Sequence, residues 1–336
     1  MLLIRKIVLF AFFNLPRVFS VQWKDAYDLT VGGLGFERDS LQESFDRLPL
    51  SAKISVPEDV WNQSIRASGV YVEFVTDSAS VYVNYTLDSE YLEFWNMAAS
   101  GVSAVDILGF DVDMNIFRWM ATFKDPQYQN NGLLIEGLTK TRQYRIYFPP
   151  YNRVSSFFVG VDDSTDTFEA APGLKASPLL WYGTSIAQGK AAMIPSSIFT
   201  TQIALQMYPS VEILNFGFSS SCHMDLSVAD VLNTIDNVSG YVVDCLANMN
   251  ASMVAERTIP LVKNIRAARG AAMPIFLVEN AIYGYEWWDE NAAESQELKR
   301  ANLRSAYDTL VAEGDTAVFY VAGEKLLAPN AGMQVQ

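Results

Sequence analysis

The stretch LLWYGTSIAQG, residues 179–189, decides the fold of the second half of this 336-residue chain. Apolar and aromatic residues run into Gly183, and Ser185 follows two positions later. An apolar run that ends in a small, glycine-containing turn is typical of a buried strand that leads into a helix. Ser185 could therefore be a nucleophile presented at the carboxyl end of a strand, or simply a serine that caps the helix.

Strand and helix patterns alternate throughout the residues that follow. Val, Ile and Phe-rich runs predict the strands, and apolar residues at helical spacing predict the helices between them. Alternation of this kind predicts a flavodoxin-like, doubly wound parallel sheet covered on both faces, with functional residues at the carboxyl ends of its strands. The predicted strands are 179–182, 211–216, 241–245, 275–278 and 317–321, and the clearest helices are 196–207, 226–235 and about 292–311.

The first half of the chain has a different pattern. Short runs rich in Val, Tyr, Phe and Ile, several of them alternating with polar residues, predict antiparallel strands, and turn-forming clusters separate them. The predicted organisation is a signal peptide at 1–20, an N-terminal all-β jelly-roll sandwich at 21–165, a linker at 166–178 and an α/β domain at 179–336. The predicted sandwich strands are 70–75, 80–86, 105–110, 117–123 and 144–148.

Composition excludes several classes of partner. The chain has 24 Lys and Arg against 38 Asp and Glu, a net charge of −14. Nucleic acid and anionic membrane surfaces are not expected to bind, because both require a basic face. With one histidine, the chain cannot form a multi-histidine metal site, and we expect neither a metal nor a cofactor.

The N-terminus predicts secretion, or delivery to an endomembrane lumen. Arg5 and Lys6 precede a short apolar run, and residues 18–20 are suitable for cleavage near Ser20. The run is too short to span a bilayer, and the alternative is an uncleaved anchor. Cys222 and Cys245 either form one disulfide or remain buried thiols. Four glycosylation sequons begin at Asn62, Asn84, Asn237 and Asn250.

Four polar or aromatic loops follow the predicted parallel strands. They begin at Gly183, Gly217 and Leu246, and at Glu279, where an aromatic cluster at 283–288 follows. A serine on a strand-to-helix turn, with backbone N–H groups and an asparagine amide nearby, is sufficient for an oxyanion hole in ester chemistry. The aromatic cluster either lines a substrate cleft or, the favoured interpretation, packs in the core or against the other domain.

These loops resemble the conserved blocks of the SGNH, or GDSL, serine hydrolases. GTSI at 183–186 resembles the first block, NFGFSS at 215–220 the second and DCLANM at 244–249 the third. The first half is similar to the sandwich of one two-domain branch, and the resemblance covers nearly the whole mature chain. The sandwich stretches are FDRLP at 45–49, VEFVTDS at 72–78, VDIL at 105–108 and YFPPYN at 147–152.

The resemblance implies a serine esterase acting on a small polar or carbohydrate ester. Ser185 matches the nucleophile, and its N–H, the N–H of Ser220 and the Asn248 side chain match the oxyanion donors. Ser220 stands where the family has glycine. Asn248 could instead close a turn.

The family's general base is the main departure. The family places an Asp-x-x-His segment after the fifth strand, and the given residues contain none, so we expect a C-terminally truncated domain. His223 could substitute as the base or have no catalytic role. The alternatives to an esterase are a catalytically silent glycan-binding protein and an α/β-hydrolase, which lacks support because the second glycine of its nucleophile elbow is missing.

Overall fold

The computed structural model describes residues 20–327. The predicted signal peptide and its cleavage site lie outside the described residues except for Ser20. The first half forms two antiparallel sheets that pack face to face, as the alternating patterns predict. Their strands are β1 (Val21–Asp25), β2 (Thr30–Gly32), β3 (Tyr71–Thr76), β4 (Ser80–Leu87), β5 (Asp106–Asp111), β6 (Ile116–Thr122), β7 (Gln129–Glu136), β8 (Arg142–Tyr147), β9 (Val154–Asp162) and β10 (Phe168–Ala170).

One sandwich sheet has the strand order β1-β9-β4-β7, and the other has β10-β3-β8-β5-β6 with β2 paired to β3. Inward-facing side chains of both sheets form one apolar core, in which Val72, Phe74, Val83, Ile146 and Val159 are fully buried. Two short helices, α1 (Glu58–Ser64) and α2 (Ala99–Val102), lie in the connections between strands.

The second half is a five-stranded parallel sheet with the order β12-β11-β13-β14-β15. This flavodoxin-like order confirms the predicted fold class. The strands after β11 are added on both of its sides, and such sheets bind their ligands at the point where the strand order reverses in this way. The strands are β11 (Pro178–Gly183), β12 (Glu212–Gly217), β13 (Gly240–Asp244), β14 (Ile275–Val278) and β15 (Val318–Val321), and the helices are α3 (Ser185–Gln188), α4 (Phe199–Met207), α5 (Leu226–Leu232), α6 (Ala251–Arg269) and α7 (Glu290–Ala312).

The two halves share more structure than the predicted boundaries imply. Within the predicted linker, 166–178, β10 pairs with β3 and so extends the sandwich to Ala170. In the other direction, α1 and the turn before it place Leu48, Val60 and Trp61 in the core of the α/β half. Segment 48–61 therefore lies within the predicted sandwich range but packs in the core of the α/β half. This packing brings residues of the first half close to the edge of the parallel sheet.

Within residues 20–327, no helix has the length and apolar character required to cross a bilayer.

Candidate active site

Ser185 is the first residue of α3 and not its cap. The cap is Thr184, whose hydroxyl accepts a hydrogen bond from the Ile186 N–H at 3.4 Å. The interpretation of Ser185 as a plain helix cap is therefore wrong, because the neighbouring threonine performs that role. Ser185 is partly exposed at the carboxyl end of β11, on the edge of the sheet where β12 and β13 also end.

The turn that carries Ser185 packs closely on the end of β12. Gly217 pairs with Gly183 across the sheet, and the Phe218 N–H donates to the Gly183 carbonyl at 2.8 Å. A Cβ atom at Gly217 would lie 2.3 Å from the Gln188 nitrogen, so any other residue here would push α3 away from the strand. The glycines of the first two blocks therefore fix the distance between the Ser185 turn and the second loop.

The second loop turns sharply at Ser220. Ser220 has a φ of 60°, in the left-handed region, and is exposed. The preceding Ser219 N–H donates to Gln188 Oε1 at 2.8 Å. The fully buried Gln188 side chain thus anchors the loop immediately before the residue that matches the family's backbone oxyanion donor.

Asn248 ends a short 3-10 turn after β13, and its amide has a defined orientation. The Cys222 N–H donates to Asn248 Oδ1 at 3.3 Å. Since a backbone N–H requires an oxygen acceptor, the Nδ2 group must point elsewhere. Cys222 and Cys245 form a disulfide with a Cα–Cα distance of 5.2 Å, which joins the second loop to the end of β13.

Three hydrogen-bond donors therefore lie at the ends of three adjacent strands. They are the N–H groups of Ser185 and Ser220 and the Nδ2 of Asn248. None of them donates a hydrogen bond to any group within residues 20–327. Unused donors beside a serine hydroxyl are the arrangement that stabilises a developing oxyanion.

No base is hydrogen-bonded to this serine in the described part of the chain. Ser185 Oγ has no side-chain partner there, and no hydrogen bond joins it to the ring of His223. His223 is partly exposed, and its backbone carbonyl accepts from Arg257 Nη1 at 2.9 Å. Its role as a substitute base stays a prediction.

The sandwich half buttresses the site through residues to which the sequence motifs alone assign no function. Tyr151 donates its hydroxyl to the Ser185 carbonyl at 3.1 Å, and burial raises the pKa of Tyr151 to about 12, so the hydroxyl keeps its proton at neutral pH. Gln188 Nε2 donates to the Pro150 carbonyl and to Gln63 Oε1, both at 3.2 Å. Ser68 donates its hydroxyl to the Gln188 carbonyl at 2.6 Å. The first domain is therefore part of the support of the site.

Arg47 fixes the end of β12 from the same side. Its fully buried guanidinium donates to the carbonyls of Asn215 at 2.7 Å, Arg66 at 2.7 Å and Gln63 at 2.8 Å. The FDRLP motif indicated this position only through family resemblance, because a buried arginine without a carboxylate partner cannot be recognised from one sequence.

Two carboxyl groups near the sheet have strongly raised pKa values. Burial raises the pKa of Asp244, at the end of β13, to about 7, although Trp181 Nε1 donates to its Oδ2 at 3.3 Å. Burial also raises the pKa of Asp106 to about 7. That carboxyl accepts from the Ser196 N–H at 3.2 Å and thus joins β5 of the sandwich to the segment before α4. Asp106 is an interdomain contact.

The aromatic cluster at 283–288 does not pack in a core. Tyr283 and Tyr285 stack with ring centroids 5.2 Å apart, but Trp287 is 85% exposed and Trp288 is 63% exposed. The favoured interpretation of core or interface packing is therefore wrong for the tryptophans, which lie on the surface of the loop after β14.

The four predicted sequons lie in different environments. Asn62, Asn237 and Asn250 are exposed, and Asn84 is half-buried on β4. The Asn250 side chain caps α6 by accepting from the Met253 N–H at 2.9 Å. Glycosylation of each stays a prediction.

Two family models match the chain in succession. The model described as the GDSL-like lipase/acylhydrolase family matches residues 176–335, and the one described as the N-terminus of SGNH hydrolase-type esterases matches residues 21–167. The chain belongs to the GDSL-like, SGNH-type family. Membership of this family supports activity as an ester hydrolase or acyltransferase. It also excludes the alternative that the chain is an α/β-hydrolase.

Solved structures confirm the two-domain fold of this SGNH-type chain. A protein from Bacteroides ovatus described as a GDSL-like lipase has 17% identity and a TM-score of 0.86, over 93% of this chain and 89% of that one. The salicylyl-acyltransferase SsfX3 from a tetracycline biosynthetic pathway has 16% identity and a TM-score of 0.69, over 93% and 85%. A family two carbohydrate esterase from Cellvibrio japonicus has 11% identity and a TM-score of 0.54, over 90% and 88%.

A search of curated proteins gave no significant match. Among the described residues, no group of three or more His, Cys, Asp or Glu side chains is placed to hold a metal ion.

Proposed function

We propose that this protein is a secreted serine esterase that removes an acyl group from a carbohydrate or a similar small polar alcohol. The observation that carries the proposal is the set of three unused donors, from Ser185, Ser220 and Asn248, at the ends of the adjacent strands β11, β12 and β13. Family membership supports the ester chemistry. The carbohydrate preference is supported more weakly, by the fold shared with a protein described as a carbohydrate esterase.

In the proposed reaction the Ser185 hydroxyl attacks the ester carbonyl. The Oγ–C bond forms, the hydroxyl proton passes to a base, and the carbonyl oxygen takes the negative charge. The N–H groups of Ser185 and Ser220 and the Asn248 amide would hold that oxygen. The bond to the alcohol then breaks, the alcohol leaves with a proton, and water hydrolyses the acyl-serine. Within residues 20–327 no base is hydrogen-bonded to Ser185.

Secretion is part of the proposal. A cut after Ser20 would leave β1 intact, since that strand begins at Val21. The Cys222–Cys245 disulfide is also consistent with an oxidising compartment. Expression in a secreting host followed by N-terminal sequencing tests this: Val21 as the first residue supports it, and a retained Met1 in the cell fraction contradicts it.

The hydrolysis of a short-chain aryl ester tests the catalytic proposal. Wild-type protein should release the alcohol, Ser185→Ala should lose the activity, and Ser197→Ala should retain it, since Ser197 is an exposed serine at another helix start. Activity that persists in Ser185→Ala would refute the assigned nucleophile.

A catalytically silent glycan-binding protein is the second candidate. The absence of a hydrogen-bonded base at Ser185 within the described residues favours it. Binding of an acylated saccharide without its hydrolysis, by wild type and Ser185→Ala alike, would establish this alternative.

A further inference from the structure

A groove runs between the two halves beside the Ser219–Ser220 loop. Its volume is about 360 Å³, which is in the range of small-molecule sites. Its lining includes Ser219 and Tyr151, whose hydroxyl contacts the Ser185 carbonyl. The groove therefore adjoins the proposed acyl-transfer site, where the alcohol part of a bound ester would extend.

The same groove is lined by an exposed tryptophan on a tight turn. Phe94 and Met97 exchange two backbone hydrogen bonds, at 2.9 and 3.1 Å, and Trp95 lies at the tip of this turn. Trp95 is 95% exposed. An exposed indole on such a turn can pack against the apolar C–H face of a sugar ring, which would remove apolar surface of both groups from water.

Two cationic side chains line the same groove. Lys190 Nζ lies 4.4 Å from the ring centroid of Phe94 and 5.4 Å from that of Tyr151. Arg66 donates through Nε to the Tyr151 carbonyl at 3.0 Å, and its other acceptors are Asn62 and Gln63. Within residues 20–327 neither cation forms a salt bridge with a carboxylate, although the chain has a net charge of −14.

The surroundings of these cations favour a negatively charged ligand. Burial lowers the pKa of both Lys190 and Arg66, so their charge is incompletely solvated. An anion in the groove would offset this cost. A neutral saccharide would use Trp95 but leave both charges uncompensated.

We propose that this groove binds an acidic saccharide, with the sugar ring on Trp95 and its carboxylate or sulfate between Lys190 and Arg66. The inference deepens the proposed function and rests on it for the role of the ligand as substrate. The binding step itself needs no catalysis, so it can be tested separately.

Calorimetric titration of the Ser185→Ala protein tests the proposal. The ligands are a tetragalacturonate, a sulfated tetrasaccharide and neutral xylotetraose. The tetragalacturonate or the sulfated ligand should bind at least about tenfold more tightly than xylotetraose, a ratio that corresponds to one charged contact. Which of the two binds better identifies the anionic group.

Variants connect the binding to named residues. Trp95→Ala and Lys190→Met should each weaken binding of the acidic ligand about tenfold, and Lys190→Arg should restore it. The matched controls are Trp119→Ala, an exposed tryptophan on β6, and Lys175→Met, an exposed lysine before β11. Equal binding of neutral and acidic ligands, no binding of either, or an unchanged affinity in Lys190→Met would overturn the proposal. Loss of aryl-ester hydrolysis alone would contradict only the proposed function.

Discussion

Replacement of Gln188 by leucine tests whether the sandwich half supports the active-site loop. Leucine has a similar size, so the change removes hydrogen bonds and creates little empty space. The lost bonds are those to the Ser219 N–H at 2.8 Å and to the Pro150 carbonyl and Gln63 Oε1 at 3.2 Å each. Gln188 is fully buried, and Pro150 is buried beside it.

The expected cost follows from the groups left without partners. A buried polar group without a hydrogen bond costs about 1–3 kcal/mol. The buried Pro150 carbonyl would lose its partner, whereas the partly exposed Gln63 amide and Ser219 N–H can contact water. We therefore expect Gln188→Leu to lower the free energy of unfolding by about 1–3 kcal/mol. We also expect kcat/KM for an aryl ester to fall at least about tenfold, since the Ser220 N–H follows Ser219.

Urea denaturation followed by tryptophan fluorescence and far-UV circular dichroism measures the effect on stability. The matched control is Gln206→Leu on α4, because Gln206 is exposed and its side chain forms no hydrogen bond within residues 20–327. The control should lose no more than about 0.5 kcal/mol. If Gln188→Leu is as stable and as active as Gln206→Leu, the proposed support of the loop by Gln188 is wrong.

Three further predictions concern the same rim and the domain interface. Asp106→Asn should make the free energy of unfolding less dependent on pH. Below pH 7 the folded Asp106 carboxyl keeps a proton that the unfolded chain releases near pH 4. The stability of the wild type therefore falls as the pH rises from 4 to 7, by at most about 4 kcal/mol from this group. Equal slopes for the two proteins in urea titrations would contradict this. Replacing Cys222 and Cys245 by alanine should cost about 3 kcal/mol, and treatment of wild type with a reductant should match it in thermal unfolding. Ser220→Gly should keep the backbone donor and relieve the φ of 60°, leaving activity intact and stability unchanged or up to about 1 kcal/mol higher, whereas a large loss of activity would show that the Ser220 side chain is needed.

The parallel sheet could be predicted closely from sequence because its strands are short apolar runs between helical patterns. The strand Ile275–Val278 was predicted to the residue, and the others to within one or two residues. In the sandwich, five strands were missed: the short β1, β2 and β10, and the two long strands β7 (Gln129–Glu136) and β9 (Val154–Asp162). The two long strands contain polar residues and glycine, and their strand conformation depends on pairing with β4, which is a long-range contact.

The site was predictable only in part, for a related physical reason. Ser185, Ser220 and Asn248 follow strands that lie side by side, so a βα pattern is enough to place them on one rim. The support from Arg47, Tyr151 and Gln63 comes from residues far away in the chain, whose burial depends on how the two halves pack. Packing between distant residues cannot be predicted from a local sequence pattern. For the same reason, the exposure of Trp287 and Trp288 could not be predicted.

Mapping of the adduct formed by a fluorophosphonate probe is the most direct test of the central claim that Ser185 is a nucleophile beside an oxyanion hole. The probe forms a covalent bond with an activated serine, and peptide mass spectrometry identifies the residue that carries it. The predicted result is one adduct on Ser185 that is absent in Ser185→Ala and weaker in Asn248→Ala, in which one oxyanion donor is missing. Labelling of another serine, or undiminished labelling of the Ser185→Ala protein, would contradict the claim.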